Sequence, residues 1–160
     1  NLKLSGAFLQ NYLEEMRTAE DFGIEKSGTG KTTHTNLWTK NIRNSYILNG
    51  DKPLIKIENG YIMICGTPWR GKEGYGVNES VPLKALCILE RNTENTIVPV
   101  TLSEAFPVLY QQTHHLEDAE DVAKTLCLLE RLGQRVKLFR LGCNMEDEAA
   151  LVSYRAMSRQ

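Results

Sequence analysis

The run Ser27, Gly28, Thr29, Gly30, Lys31, Thr32, Thr33, His34 and Thr35 restricts this chain more than any other stretch. Two glycines one residue apart let a backbone approach an anion with no Cβ in the way, and successive N–H groups in such a turn can face inward as a nest. Lys31 offers an ammonium to the β- and γ-phosphates of a nucleotide, and Thr32 offers a hydroxyl to its Mg2+. A helix beginning just after Gly30 would bring the partial positive charge of its first turn beneath the phosphates. The full phosphate-loop pattern has glycine where this chain has Glu25. Segment 20–26 is a weak version of the buried strand that precedes such a loop. The structural alternative is a Gly/Ser/Thr turn that caps a helix.

A length of 160 residues suits one domain, 1–160, long enough to bury roughly 70% of its unfolded surface. Nineteen Lys and Arg against twenty Asp and Glu leave a net charge of −1, so composition makes no case for nucleic acid or a membrane as partner. No apolar run is long enough to span a bilayer and no signal-peptide pattern is present. The chain opens at Asn1 without a methionine, which reads as a trimmed fragment. Cys65, Cys87, Cys127 and Cys143 are widely spaced in apolar segments. They read as small core residues of a protein in a reducing, cytoplasmic compartment rather than a zinc site or a disulfide frame.

Phe8, Leu9, Tyr12, Leu13 and Met16 recur at helical spacing and predict a packing helix over 6–19, within a helical N-terminal segment 1–24. A helix from about 30 to 43 follows the central run, with Leu37, Trp38 and Ile42 as its apolar side; His34, one turn in, reads as a capping or packing residue. Residues 45–49 read as a short apolar strand that ends at Gly50 and Asp51. An acid at such a strand end, beyond a phosphate loop, is where a phosphoryl-transfer site keeps its Mg2+-facing carboxylate; a plain Gly-Asp turn is the alternative. Asn59-Gly60 between 53–58 and 61–65 is a strong hairpin signal. Segment 66–76 reads as a long loop carrying the cations Arg70 and Lys72.

Residues 81–90 predict a strand buried on both faces, with Lys84 at an accessible point, and 97–100 a short edge strand. Thr101 and Glu104 have capping-box spacing and open a helix to about 112, which Pro107 would kink or restart. His114 and His115 read as a surface turn. An amphipathic helix is expected over 117–132, with Ala119, Val122, Ala123, Leu126 and Leu129 as its stripe and Gly133 after its end. A strand over 136–141 follows, then a last helix capped by Asn144 and running to about 157, with Ala149, Val152 and Ala156 facing in. The fold class is α/β with an α+β-like mixed, partly antiparallel sheet and flanking helices.

Four segments in order, 27–38, 47–53, 66–72 and 139–145, resemble the HPr kinase-like proteins, bacterial relatives of HPr serine kinase and, further off, of phosphoenolpyruvate carboxykinase. The resemblance covers 27–158 and implies a P-loop kinase-type domain over 25–160 that binds ATP and Mg2+. It implies that Ser27, Gly28, Thr29, Gly30, Lys31, Thr32 and Thr33 form the nucleotide loop, with Lys31 as the phosphate lysine. It further implies Thr32 and Asp51 as metal ligands, and Asp51, Lys31 and Arg70 as the catalytic set. HPr kinase proper has paired aspartates where this chain has Gly50 and Asp51. The implied activity is transfer of a phosphoryl group from ATP to a serine-like hydroxyl of a protein or small molecule. The alternatives are a nucleotide-binding or structural relative that does no chemistry and, last, a carboxykinase.

Overall fold

The structure, a computed structural model, describes the backbone of 6–10 and residues 30–50, 53–69, 74–113 and 118–159. In chain order the elements are β1 (Gly6–Gln10), α1 (Lys31–Asn41), β2 (Leu54–Glu58), β3 (Tyr61–Cys65), β4 (Ser80–Pro82), β5 (Ala85–Arg91) and β6 (Thr96–Pro99), followed by α2 (Leu102–Gln111), α3 (Ala119–Arg135), β7 (Lys137–Cys143) and α4 (Asp147–Ser158). The strands form two sheets, a mixed one in the order β1-β5-β7-β6 and an antiparallel one in the order β2-β3-β4. The mixed α/β class is as expected, with two sheets in place of one.

β5 organises the molecule. Residues 85–89 are all buried, and their side chains alternate between two cores. Ala85, Cys87 and Leu89 meet Trp38 and Ile42 of α1 and Ala150 and Met157 of α4. Leu86 and Ile88 meet α2, α3 and the small sheet, through Val108, Leu132, Ile62 and Ile64. The central sheet is thus the middle of three layers. β7 runs parallel to one side of β5 and β6 pairs antiparallel with β7 as the expected edge strand.

Parallel pairing on the other side of β5 comes from β1, with Gly6 opposite Ala85 and Gln10 opposite Leu89. This corrects the helix expected from residue 6. A strand buried on both faces must satisfy its backbone on both edges, and that demand overrides the helical spacing of Phe8 and Leu9. Residues 11–19 lie outside the described residues.

The Asn59-Gly60 hairpin forms as expected, with φ of 51° and 80° at the two turn residues and Glu58 opposite Tyr61. Segment 45–49 is corrected from a strand to an extended connection with a single bridge, Asn49 to Gly76. The strand expected over 81–90 is two strands in different sheets. At the joint, Leu83 N–H donates to Ile62 C=O in the small sheet, while Lys84 C=O accepts from Lys137 N–H in the central one.

The capping box on α2 is present in full: Glu104 N–H donates to Thr101 Oγ1, and the Glu104 carboxylate accepts from Thr101 N–H. These bonds hold the exposed Glu104 carboxyl below its usual range. Pro107 sits within α2 without ending it. Gly133 does not terminate α3, which continues to Arg135. A Cβ at Gly133 would come within 2.9 Å of three Leu102 side-chain atoms, so glycine is kept for the close approach of α2. Leu126, Ala123 and Cys127 are exposed on α3, whose buried positions are Leu129 and Leu132. The stripe and the core assignment of Cys127 are corrected accordingly. Cys87 is fully buried, and desolvation pushes its thiol pKa up.

α4 begins at Asp147 with Glu146 as its N-cap, and Asn144 Oδ1 accepts from Glu146 N–H one step outside the helix. Its buried residues are Ala149, Ala150, Ser153 and Met157, whereas Val152 and Ala156 are only half-buried. His114 and His115 lie outside the described residues. No helix among the described residues is long and apolar enough to cross a membrane.

Candidate functional site

Gly30 is the N-cap of α1, with φ of 94° and ψ of −3° in the left-handed region, which glycine enters without steric cost. Among the described residues nothing lies within 4 Å of where its Cβ would be. Lys31 and Thr32 follow, both half-buried, then the exposed Thr33. α1 has no side-chain cap and no acid in its first turn. By contrast, α2 and α3 are capped by Thr101 and Asp118, and α4 carries Asp147 and Glu148 in its first turn. Within its own first turn, α1 therefore carries no carboxylate to offset its partial positive charge.

α1 is a poor helix by composition. Four threonines, Thr32, Thr33, Thr35 and Thr39, carry β-branched side chains of low helix propensity. Thr35 Oγ1 donates back to the Lys31 and Thr32 carbonyls, each at 3.0 Å, so that hydroxyl is committed to the helix. Ser45 Oγ closes the far end by donating to the Trp38 and Ile42 carbonyls at 3.1 and 2.8 Å.

Tertiary contacts hold the helix. Ser153 Oγ, 3.0 Å from Ala149 C=O and 3.1 Å from Ala150 C=O, accepts from Trp38 Nε1–H at 2.8 Å and lies 3.0 Å from His34 Nε2. The direction of the His34–Ser153 bond follows the imidazole tautomer. His34 and Ser153 are 2% and 0% exposed, and desolvation pushes the His34 pKa down to about 4, so the ring is neutral. The Trp38 ring meets Tyr154 edge-on at 5.8 Å. At the surface, Lys40 Nζ binds both oxygens of Asp147, at 2.9 and 2.8 Å, and Asn41 donates to Oδ1 at 3.1 Å. The Lys40 and Asn41 bonds hold the Asp147 carboxyl below its usual range.

These contacts orient α1. α4 leaves the carboxyl end of β7 and returns to its amino end, where Lys137 Nζ donates to Arg159 C=O at 2.6 Å. α1 lies antiparallel to α4, its C-terminal turn beside Asp147 and its middle beside Ser153. Gly30, Lys31, Thr32 and Thr33 thus lie toward the side of the sheet where β5 and β7 begin. β1 ends on the opposite side, with Gln10 beside Leu89. In parallel α/β sheets anions bind beyond the carboxyl ends of strands. A strand leading directly into Gly30 would therefore have to run against β5.

A second built segment lies around Asn49. Its Nδ2 donates to Thr67 C=O at 3.2 Å, Thr67 Oγ1 at 3.1 Å and Trp69 C=O at 3.1 Å, pinning the 66–69 loop to the residues just before Asp51. Gly66 is obligatory there, because a Cβ would fall 1.9 Å from Val77 O. Trp69 is 65% exposed.

Of the residues singled out from sequence, the structure places Gly30, Lys31, Thr32 and Thr33 together at one helix start. Ser27, Gly28, Thr29, Asp51 and Arg70 lie outside the described residues, as does Glu25. Among the described residues no group of three or more His, Cys, Asp or Glu is placed to hold a metal ion. The packing role read for His34 is observed. Its partner Ser153 went unnoticed, although a serine among Ala149, Ala150 and Met157 on an inward face is a signal that something polar must meet it. No family model matches the chain, and no curated protein or solved structure matches it.

Proposed function

We propose that this chain binds ATP with Mg2+ at 27–33 and transfers a phosphoryl group to a serine-like hydroxyl, as an HPr kinase-like P-loop protein. The observation that carries the reading is Gly30 in the left-handed conformation at the N-cap of a helix whose first turn holds Lys31 and Thr32 and no acid. On this reading the loop amides and Lys31 stabilise charge on the β- and γ-phosphates. Thr32 and Asp51 hold the metal, and Arg70 steadies the transferred group. The test is ATP affinity with and without Mg2+ for the parent and Lys31→Ala. Tight, Mg2+-dependent binding lost in the variant supports the proposal; equal, weak binding in both rejects it.

A second reading, a nucleotide-binding or structural relative without chemistry, is favoured by Glu25, by the single acid at Gly50-Asp51, and by the direction of α1. Turnover of the γ-phosphate that disappears in Asp51→Asn disposes of that reading.

A further inference from the structure

β2 is the end strand of the small sheet, and no described strand pairs with its outer edge. We propose that this edge is a self-complementary interface through which two copies of the chain join antiparallel about a two-fold axis at Ile57. The inference is independent of any nucleotide site.

The hydrogen-bonding phase of β2 follows from its turn. Residues flanking a two-residue hairpin loop exchange both backbone bonds, and here those residues are Glu58 and Tyr61. Glu58, Lys56 and Leu54 therefore direct their backbone groups inward to β3, and Ile55 and Ile57 direct theirs outward. A second copy can join only where its own outward groups meet these.

A closed dimer needs an isologous pairing, and the short strand offers few centres. A centre at Lys56 sets Lys56 against its own counterpart, like charge against like. A centre at Ile55 sets Pro53, which has no N–H, against Ile57. A centre at Ile57 sets the two Ile57 residues against each other and places Lys56 opposite Glu58 on both sides of the axis.

Charge and burial select this last register. Lys56 Nζ already lies 3.3 Å from Glu58 Oε2 on the outer face, and the dimer would extend that pair into an alternating square of four charges. Ile57 shares the inner face with the buried Ile62 and Ile64 but is 37% exposed, and the partner strand would cover it. The edge is also preformed: the Arg135 guanidinium donates to Gly60 C=O and ties the turn to the end of α3, so little ordering accompanies association.

The experiment is analytical ultracentrifugation of the full chain up to about 1 mM, as befits an interface well below standard size. The parent should show a concentration-dependent dimer. Lys56→Glu and Glu58→Lys should each self-associate roughly tenfold or more weakly, since two favourable cross-strand pairs become two repulsive ones. An equimolar mixture of the two variants should recover the dimer, because each supplies the charges the other lacks. The double variant Lys56→Glu with Glu58→Lys should dimerise like the parent. A parent that stays monomeric throughout overturns the proposal. So do single variants that dimerise as the parent does, or a mixture and a double variant that both stay monomeric.

Discussion

Among the described residues, the core on the α2/α3 side of the central sheet is built from apolar side chains, whereas on the α1/α4 side an imidazole, a serine hydroxyl and an indole N–H converge inside the core. Apolar packing is non-directional and tolerates changes that preserve volume. Hydrogen bonds fix direction, and leaving one partner unpaired in a core costs its full desolvation. The difference follows what each side must position. α2 and α3 have side-chain caps, and their buried residues, Ala105, Val108, Leu109, Leu129 and Leu132, are all apolar. α1 has four threonines and few apolar residues, so His34 and Trp38 supply through Ser153 the rotational registry that composition does not.

This contrast can be broken most forcefully on the apolar side. Leu86→Ala or Leu132→Ala should cost about 2–5 kcal/mol by urea unfolding, for lost transfer energy plus the cavity left behind, with no change in pH dependence.

Next in size is acid. The folded His34 pKa of about 4 lies below its ordinary 6.5. Between those values the unfolded chain takes up a proton that the folded chain refuses. Stability is full above pH 6.5 and falls as the pH drops toward 4, by about 3 kcal/mol at roughly 1.4 kcal/mol per pH unit. Glu104 and Asp147, with pKa values lowered from 4.5 and 3.8, begin to lose their contributions only at the acid end of this window and below it. Urea midpoints measured from pH 7.5 to 4 should show the slope in the parent and a flatter line in His34→Gln.

Ser153→Ala removes the acceptor for Trp38 Nε1–H and the partner of His34 Nε2, and should cost about 1–3 kcal/mol. Its signature is a shift in Trp38 environment, seen in fluorescence quenching or near-ultraviolet dichroism, which Leu132→Ala leaves unchanged. Thr101→Ala, which opens the α2 capping box, should cost about 1 kcal/mol in the same unfolding assay. Asp147→Asn should have the smallest effect, within the error of a urea titration at 0.5 M salt, because the Lys40 pair is exposed and screened.

What could be read from the chain tracks how local the cause is. Asn59-Gly60 dictates its hairpin because the required φ values belong to those two residues, and Thr101 with Glu104 dictates its cap over one turn. The helix start at Gly30 is legible for the same reason. β1 is not, since its strand form comes from the open edge of β5, some eighty residues away in sequence. The division of 81–90 between two sheets is set by which neighbour each residue finds, Ile62 for Leu83 and Lys137 for Lys84, and alternation cannot express that. The His34–Ser153 contact spans 119 positions; only the polarity of Ser153 on an apolar face hints at it. The position of Lys31 and Thr32 at a helix start follows from pattern alone, but the direction of that helix relative to β5 is set by its packing against α4.

The joint at Leu83 and Lys84 has a mechanical consequence. Adjacent peptide units are bonded into different layers, so at this joint the hairpin layer meets the middle of the molecule without a slack tether. A load drawing the two apart meets both sets of backbone bonds at once. Detachment of the hairpin layer by itself is correspondingly disfavoured, and amide exchange in β3 and β5 should follow a common opening event.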